Sequence, residues 1–351
     1  TPTSGGNTVT ITGGTLTGGT SPDPNHRAKI YGGYAHGTNK TVETNNTVNL
    51  GADDGTYNAN LTRAVVYGGK DSHTGNTLNV KAGNITVAGV HNFENYNFFL
   101  TDQIVAGSTP MLTLTDHNGF DNHYSGTRRV DFRKVKVDLT NMSSRQIAGE
   151  ITLLDGSHAN ALEFTNYNPT STAATTPTNG DYEYVLRTDT DAAQGRKVLM
   201  EYNRFQNGVA AYDATNAKTD WFAGLSRGGH TTEHNILTID GELSRSITAY
   251  GAKTLGASGG SGGTRGNILE IKSTGSNAYQ VTTGYGGYIG RATNADTVQN
   301  NVLRMSGGTV GTLYGGYSAG TGTVTANKTY VTGGTVTGDI YAGYAATAGK
   351  A

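Results

Sequence analysis

Short stretches in which apolar and polar residues alternate recur along the chain, and each begins at an asparagine. Clear examples are Leu237 and Ile239 in NILTI, and Leu303 and Met305 in NVLRM. A period of two places such residues on one face of a half-buried strand. Glycine pairs such as Gly333-Gly334 follow the strands and supply the positive φ that tight corners need. The pattern predicts many short strands separated by sharp corners, with little helix.

The strands belong to a longer repeat, whose units begin at Asn7, Asn46, Asn76, Asn235, Asn267, Asn301 and Asn327. The last four starts are 32, 34 and 26 residues apart. Each unit has a strand after the asparagine, a second short strand after a glycine turn, and a third that leads into Tyr-Gly-Gly-Tyr or a variant of it. A unit this small buries its few apolar side chains only by stacking on its neighbours. We therefore predict an all-β parallel solenoid with three short strands per turn.

Equivalent residues of successive units should meet in such a solenoid. One apolar slot should point into a shared, narrow core; it is filled by Val9, Val48, Leu78, Leu237, Leu269 and Leu303. The repeated asparagine tolerates a corner conformation, and its amide can bond the same amide one turn further on. The repeated tyrosines can stack on one another and fix the register of the strands.

Residues 95–234 break the pattern, so we divide the chain into regular segments 1–94 and 235–351 and an irregular segment 95–234. Strand-like stretches continue there at 111–115, 135–139, 149–154, 182–188 and 197–202. The last two flank DTDAAQG and indicate a hairpin. The polar stretch 168–180 indicates a loop. We interpret the segment as irregular solenoid turns with a protruding loop or hairpin; an inserted subdomain is the alternative.

Composition excludes several classes of function. The chain has no cysteine, which excludes disulfides, thiolate zinc sites and a cysteine nucleophile. A net charge of −1 argues against nucleic-acid binding, and we interpret the basic stretch 127–138 as the charged outer face of a strand. No apolar run reaches the ~18 residues of a membrane span. Because the chain begins with Thr1 rather than Met, we take it to be a mature or excised piece.

The units NTVTITGGTLTG and NVLRMSGGTVGTLYGGY, together with GVHNFENYNFFL at 89–100, resemble passenger domains of Gram-negative autotransporter adhesins. The likeness covers residues 7–100 and 235–349 well and the middle loosely. It implies a right-handed parallel β-helix, secreted and displayed on the cell surface, where it serves adhesion, aggregation or biofilm formation in virulence. It also implies an outer-membrane barrel that is not in this stretch and to which the passenger is anchored.

Candidate chemistry is sparse. HTTEH at 230–234 matches an inverted zinc-protease motif, but glycines precede it and a strand follows, so no helix can hold His230 and His234 together; we predict a corner and no metal. Asp53 and Asp54 lie in a glycine turn and are expected to be turn formers. No acid–base pair with a positioning partner is identifiable. We predict neither enzymatic activity nor a cofactor.

The best binding candidates are aromatic: Tyr34, Tyr288, Tyr317, Tyr344 and Trp221, and the alternative for Trp221 is a place in the core. Tyrosine offers a rigid ring and a hydroxyl, which suit sugars and protein surfaces; the alternative is that the tyrosines only stack on one another. We predict a non-catalytic adhesin fragment that binds a surface protein or glycan of host or bacterial cells, or associates with itself between cells, without membrane contact. Specificity is expected in the loops of 95–234. A β-helical glycan-active enzyme and a purely structural stalk are the alternatives.

Overall fold

A computed structural model describes residues 4–19, 26–36, 43–104, 107, 109–121, 129–142, 148–173, 181–256 and 261–347. The protein is all-β, with mostly parallel sheets and almost no helix, as the alternating pattern predicted. It divides into two compact units. The first comprises Thr1–Ser143, Gly149–Thr170 and Val185–Glu201; the second comprises Ser144–Ala148, Ser171–Tyr184 and Tyr202–Ala351. The three-segment division of the sequence describes where the repeat is regular and stays a prediction.

The strands up to residue 204 are β1 (Thr8–Ile11), β2 (Ala28–Gly33), β3 (Thr47–Leu50), β4 (Leu61–Gly69), β5 (Thr77–Val80), β6 (Ile85–His91), β7 (Asn95–Thr101), β8 (Leu112–Leu114), β9 (Phe120–Asp121), β10 (Arg129–Asp131), β11 (Val135–Asn141), β12 (Ala148–Asp155), β13 (Leu162–Thr165), β14 (Thr172–Ala173), β15 (Tyr182–Thr188), β16 (Gln194–Gly195) and β17 (Lys197–Arg204). In the first unit, β1-β3-β5-β7-β11 form a parallel sheet, and a second sheet runs β2-β4-β6-β8-β12. The small sheet β10-β13-β16 contains an antiparallel pair, β13 with β16.

The second unit continues with β18 (Val209–Ala211), β19 (Asp220–Ser226), β20 (Thr232–Glu233), β21 (Ile236–Asp240), β22 (Ile247–Thr254), β23 (Thr264–Arg265), β24 (Ile268–Ser273), β25 (Val281–Ile289), β26 (Val298–Gln299), β27 (Val302–Met305), β28 (Thr309–Ser318), β29 (Val324–Thr325), β30 (Lys328–Val331), β31 (Thr335–Val336) and β32 (Ile340–Ala345). Three parallel sheets result: β18-β21-β24-β27-β30, β19-β22-β25-β28-β31 with β32 also on β28, and β20-β23-β26-β29. From β20 to β28, each repeat places one strand in each sheet. The three strands are not the predicted ones: the second and third predicted strands, marked by Val310 and Leu313, form the single strand β28. The third sheet consists of two-residue strands that precede the asparagine, where no strand was predicted.

The irregular segment contains the expected strands, with one correction. β8, β11, β12, β15 and β17 lie where the sequence predicted strands, and β15 and β17 are sheet neighbours. The basic stretch, however, is not one strand over residues 129–138, the part of it that the structure describes. A 3₁₀ turn at Phe132–Lys134 separates β10 from β11, because the Asp131 carboxylate accepts the N–H of Arg133 at 3.0 Å and caps the turn. Residues 174–180 of the predicted loop lie outside the described residues.

The predicted apolar slot forms rows of facing residues. In the second unit Leu237, Leu269 and Leu303 are paired in register and fully buried. In the first unit Val48 pairs with Leu78 and both are fully buried, whereas Val9 on β1 is only half-buried. Burial of the slot is thus confirmed for every member except Val9.

Asparagine ladders join the turns, as predicted. Asn267 Oδ1 accepts hydrogen bonds from the backbone N–H and the Nδ2 of Asn235, at 3.1 and 2.8 Å. Asn301 Oδ1 accepts the same two hydrogen bonds from Asn267, and Asn327 Oδ1 accepts them from Asn301. A shorter ladder in the first unit links Asn7, Asn46 and Asn76 in the same way. Each side chain therefore satisfies backbone donors that the corner would otherwise leave unpaired.

The residue before each ladder asparagine adopts a left-handed backbone, with φ of 53–71° at Gly6, Asn45, Gly75, His234, Gly266, Asn300 and Ala326. Glycine and asparagine tolerate this conformation, but other residues are strained by about 1–2 kcal/mol. Ala326 has neither glycine's freedom nor a polar side chain to offset that cost, so its corner is strained.

Replacing Ala326 by asparagine is expected to stabilise the second unit by about 1 kcal/mol, because the side chain is exposed and only the backbone cost changes. Trp221, the only tryptophan, lies in the core of that unit, so its fluorescence during urea denaturation reports the effect. Gly266→Ala should shift the midpoint in the opposite direction. An unchanged or lower midpoint for Ala326→Asn would contradict the assignment of strain.

Space requires the glycine pair in the Tyr-Gly-Gly-Tyr sequences at 285–288 and 314–317. A Cβ on Gly315 would lie 2.5 Å from the carbonyl oxygen of Ala342 on the next strand, and a Cβ on Gly316 would lie 2.5 Å from Cγ of the ladder residue Asn327. One turn earlier, Gly286 and Gly287 meet the corresponding obstacles. The first glycine thus admits the neighbouring backbone, and the second admits the asparagine ladder.

Candidate functional site

Seven tyrosines of the second unit form two adjacent stacks, here called the tyrosine strip: Tyr250, Tyr285, Tyr314 and Tyr341 in the first stack, and Tyr288, Tyr317 and Tyr344 in the second. Rings in the first stack are 5.0–5.1 Å apart and tilted by only 8–9°. Those in the second are 5.2–5.4 Å apart. The predicted stacking is confirmed; six of the seven tyrosines are half-buried and Tyr344 is 36% exposed.

The glycine pair also brings the two stacks onto one side. Residues three apart on a regular strand point to opposite faces. Yet Tyr285 and Tyr288 contact each other edge to face, with centroids 4.8 Å apart. Tyr314 and Tyr317 do so at 5.3 Å. The strand must turn at the glycines between them, which have no side chain to obstruct the turn.

Four tyrosines of the strip have a raised pKa. Burial raises the pKa of Tyr250 and Tyr285, and the neighbouring tyrosines raise it further. Burial likewise raises the pKa of Tyr288 and Tyr314. These phenols stay protonated well into the alkaline range, so each retains an O–H donor together with its acceptor lone pairs.

A lysine stands at the start of the second stack. Lys253 pairs in register with Tyr288 and so occupies the slot of the second tyrosine in the variant Tyr-Gly-Ala-Lys. Its Nζ lies 4.7 Å from the ring centre of Tyr250 and 4.9 Å from that of Phe222, and 2.8 Å from Asp220 Oδ2. The ammonium is thereby satisfied by two rings and one carboxylate. Alignment of the repeats already places Lys253 at the position of the second tyrosine. That substitution could have indicated this contact, but the sequence analysis did not consider it.

The first unit carries a shorter version. Tyr31 and Tyr67 stack at 4.8 Å, and His91 follows in register with its ring on the edge of Tyr67. The rings of Tyr34 and Tyr31 make an edge-to-face contact with their centroids 5.2 Å apart. Lys70 Nζ lies 5.1 Å from the ring centroid of Tyr34.

The five aromatic binding candidates lie in three different places in the structure. Tyr288, Tyr317 and Tyr344 form one stack of the strip. Tyr34 belongs to the first unit, with 47% of its surface exposed. Trp221 is a core residue that is 8% exposed, and its indole N–H donates to the carbonyl of Lys218 at 3.2 Å. It leaves almost no surface for a ligand, so we correct its assignment as a binding residue. Sequence reasoning also omitted the whole first stack, Tyr250, Tyr285, Tyr314 and Tyr341.

The HTTEH stretch lies on a corner. Thr232–Glu233 form β20, and His234 has a left-handed backbone with φ of 53°. His230 Nδ1 lies 2.7 Å from Oε2 of the buried Glu183, 47 residues earlier, and its ring stacks on Phe205 at 4.7 Å. The expected absence of a helix is confirmed. Nothing in the sequence indicated the contact with Glu183, because 47 residues separate the two and both lie in the irregular segment, where no repeat relates them.

The acidic turns structure the backbone. Asp54 accepts the N–H of Thr56 at 2.8 Å, and Asp53 pairs with Lys81. Asp189 accepts the N–H groups of Arg196 and Lys197 at 2.9 and 3.1 Å. The interpretation of Asp53 and Asp54 as turn formers agrees with these contacts. Across the part of the chain that the structure describes, no three His, Cys, Asp or Glu side chains gather in a metal-binding arrangement, and no helix has the length and hydropathy to cross a membrane.

No protein-family model, curated protein or solved structure matches this chain.

Proposed function

We propose that the chain is a non-catalytic segment of a cell-surface adhesin, built as a right-handed parallel β-helix. Three parallel sheets that receive one strand each per repeat, joined by asparagine and tyrosine ladders, support the helix. The resemblance of the repeat units to autotransporter passengers supports surface display through a barrel outside this stretch.

The tyrosine strip is the observation that carries the adhesive role. It presents seven rings at a regular spacing of about 5 Å, the distance between neighbouring strands. Stacking fixes the rings in place, so little side-chain entropy is lost when a partner binds. Amphipathic ring edges with neutral hydroxyls suit a glycan or a polar protein surface on a host or neighbouring bacterial cell.

The titratable groups support a non-catalytic role. Glu183 is a carboxylate that contacts an imidazole, but it also accepts backbone N–H bonds from Arg227 and Gly228. Such a carboxylate is engaged in holding the corner. Asp53, Asp54 and Asp189 are engaged in turns and an ion pair, as described above.

Removing the strip's hydroxyls is expected to reduce adhesion without unfolding the protein. The triple variant Tyr288→Phe/Tyr317→Phe/Tyr344→Phe keeps the rings and their stacking but loses three O–H groups. Displayed on bacteria that do not otherwise aggregate, it should show cell–cell clumping and attachment reduced about tenfold, since lost polar contacts cost about 0.5–1.5 kcal/mol each. Tyr279→Phe, at a tyrosine that is 45% exposed and outside the strip, is the matched control.

Three outcomes distinguish the alternatives. Unchanged adhesion by the triple variant, with adhesion lost when residues 168–180 are replaced by a short glycine-serine bridge, would move the binding surface to the irregular segment. Failure of the displayed wild-type chain to adhere at all would favour a stalk. Release of sugars from a polysaccharide by the wild-type chain would favour a glycan-active enzyme.

A further inference from the structure

A cleft of about 450 Å³ lies on the outer side of the sheet β18-β21-β24-β27-β30, a different sheet from the one that carries the tyrosine strip. Three successive strands and the residues that follow them contribute the polar and aromatic lining: Glu270, Lys272, Arg304, Ser306, Tyr330 and Thr332. The buried Ile271 and Met305 also line the cleft. The volume lies within the roughly 300–1,000 Å³ of small-molecule sites.

Register assembles this cleft from unlike residues. Glu270 pairs with Arg304 and Arg304 with Tyr330, so an acid, a base and an aromatic ring stand in one row across three strands. The repeat puts identical residues in the core and the ladders, but this outer row differs at every turn. Such a row is specific to this place in the fold.

The charges of the cleft are unbalanced. Arg304 Nη1 lies 3.4 Å from Glu270 Oε1, and Lys272 Nζ lies 3.8 Å from Glu270 Oε2. Two cations therefore share one carboxylate through long contacts, and each cation is about half exposed. Exposed pairs of this kind contribute about 0–1 kcal/mol, so an incoming anion can replace them at little cost.

The remaining groups suit a sugar ring. Tyr330 is 47% exposed and offers an apolar ring face or edge with a hydroxyl. Ser306 adds a hydroxyl that both donates and accepts. The Thr332 hydroxyl donates to the carbonyl oxygen of Met305 at 3.3 Å and can accept from a ligand, and Glu270 adds acceptor oxygens for ligand hydroxyls. The guanidinium of Arg304 matches a carboxylate with two parallel N–H donors.

The geometry points to a binding site for an acidic sugar residue, in which Arg304 and Lys272 hold the sugar carboxylate, Tyr330 packs against the ring and Glu270 accepts ring hydroxyls. This site is independent of the tyrosine strip, and its test does not depend on adhesion.

Titration calorimetry on the full chain tests the site with three probes: a hexasaccharide containing glucuronate, a neutral hexasaccharide of N-acetylglucosamine, and inorganic sulfate. We expect saturable binding of the uronate probe, at least tenfold weaker binding of the neutral one, and weaker binding of sulfate. Equal binding of the neutral probe, tighter binding of sulfate, or no binding of the uronate probe at millimolar concentration would each overturn the proposal.

Two variants locate the site. Arg304→Gln and Tyr330→Ser should each weaken uronate binding at least tenfold while leaving the urea midpoint near that of the wild type, because both side chains are about half exposed. Arg265→Gln changes the net charge equally but lies on β23, outside the cleft, and should bind like the wild type. Equal weakening by Arg265→Gln would show non-specific charge attraction and overturn the assignment.

Discussion

Replacing Asn301 by alanine is expected to destabilise the second unit by about 4 kcal/mol, because several buried hydrogen-bonding groups lose their partners at once. The side chain is fully buried. Its Oδ1 accepts the N–H and Nδ2 of Asn267, at 3.1 and 2.9 Å. Its Nδ2 donates to Thr264 Oγ1 and Asn327 Oδ1, both at 3.0 Å. Each donor or acceptor left unpaired in the interior costs about 1–3 kcal/mol, and the sum exceeds what any single hydrogen bond contributes.

Urea denaturation followed by Trp221 fluorescence measures this loss. Asn277→Ala is the matched control, since that exposed asparagine also makes two hydrogen bonds, to Leu243 and Tyr279, but outside the ladder. The control should lose less than about 1 kcal/mol, because water replaces the partners. Equal losses in the two variants would mean that the ladder contributes no more than an ordinary surface contact.

Replacing Glu183 by glutamine is expected to cost about 3 kcal/mol at pH 7, because a buried carboxylate that gathers several donors is replaced by a group with one acceptor. Glu183 is 1% exposed. It accepts from His230 Nδ1 at 2.7 Å, from the N–H of Arg227 at 2.5 Å, and from Ser226 Oγ at 3.2 Å. The amide would also turn a donor toward groups that are themselves donors.

The pH dependence identifies the carboxylate as the cause. Burial alone would raise the pKa of Glu183, but the hydrogen bonds from His230 and the backbone N–H groups outweigh it and lower the pKa below its ordinary 4.5. A pKa lowered by folding contributes stability that is fully present above 4.5 and is lost as the pH falls through the lower folded-state value. The free energy of unfolding of the wild type should therefore fall on acidification more steeply than that of Glu183→Gln. The difference between the two free energies should become smaller as the pH falls.

Glu233→Gln provides the comparison, because Glu233 forms an exposed ion pair with Arg265 at 2.8 Å. That variant should lose less than about 1 kcal/mol and keep the wild-type pH profile. If Glu183→Gln also kept the wild-type profile between pH 3 and 7, the proposed coupling of Glu183 to folding would be wrong.

Sequence reasoning reached the regular features because they repeat. Asn267 and Asn301 occupy the same slot of successive units, and parallel pairing in register brings equal slots together. The same holds for Leu269 and Leu303, and for the tyrosines at 285 and 314. The same residue type at equivalent positions of successive repeats was therefore sufficient to predict burial, hydrogen bonding and stacking at those positions.

It failed where a local interaction interrupted the pattern. The alternation around Val130 suggested a continuous strand, but the carboxylate of Asp131 capped a turn at the next residues. The bulk and apolar character of Trp221 suggested either an anchor or a core residue, and only packing against Leu237 and its neighbours decided for the core. Hydrogen bonds from a side chain to the backbone compete with strand formation. The alternation of apolar and polar residues gives no sign of such bonds.

The sequence by itself determined the all-β class, the repeat and the ladders, because the physical requirement of each recurs at every turn. Only the tertiary structure decided which unlike residues meet. Glu183 reaches His230 across 47 positions, and Glu270, Arg304 and Tyr330 form one row although nothing in any single repeat marks them as partners. The register between turns of unequal length decides which of these residues come into contact. The two cations around Glu270 and the burial of the Glu183 carboxylate can therefore be recognised only once the strands are paired.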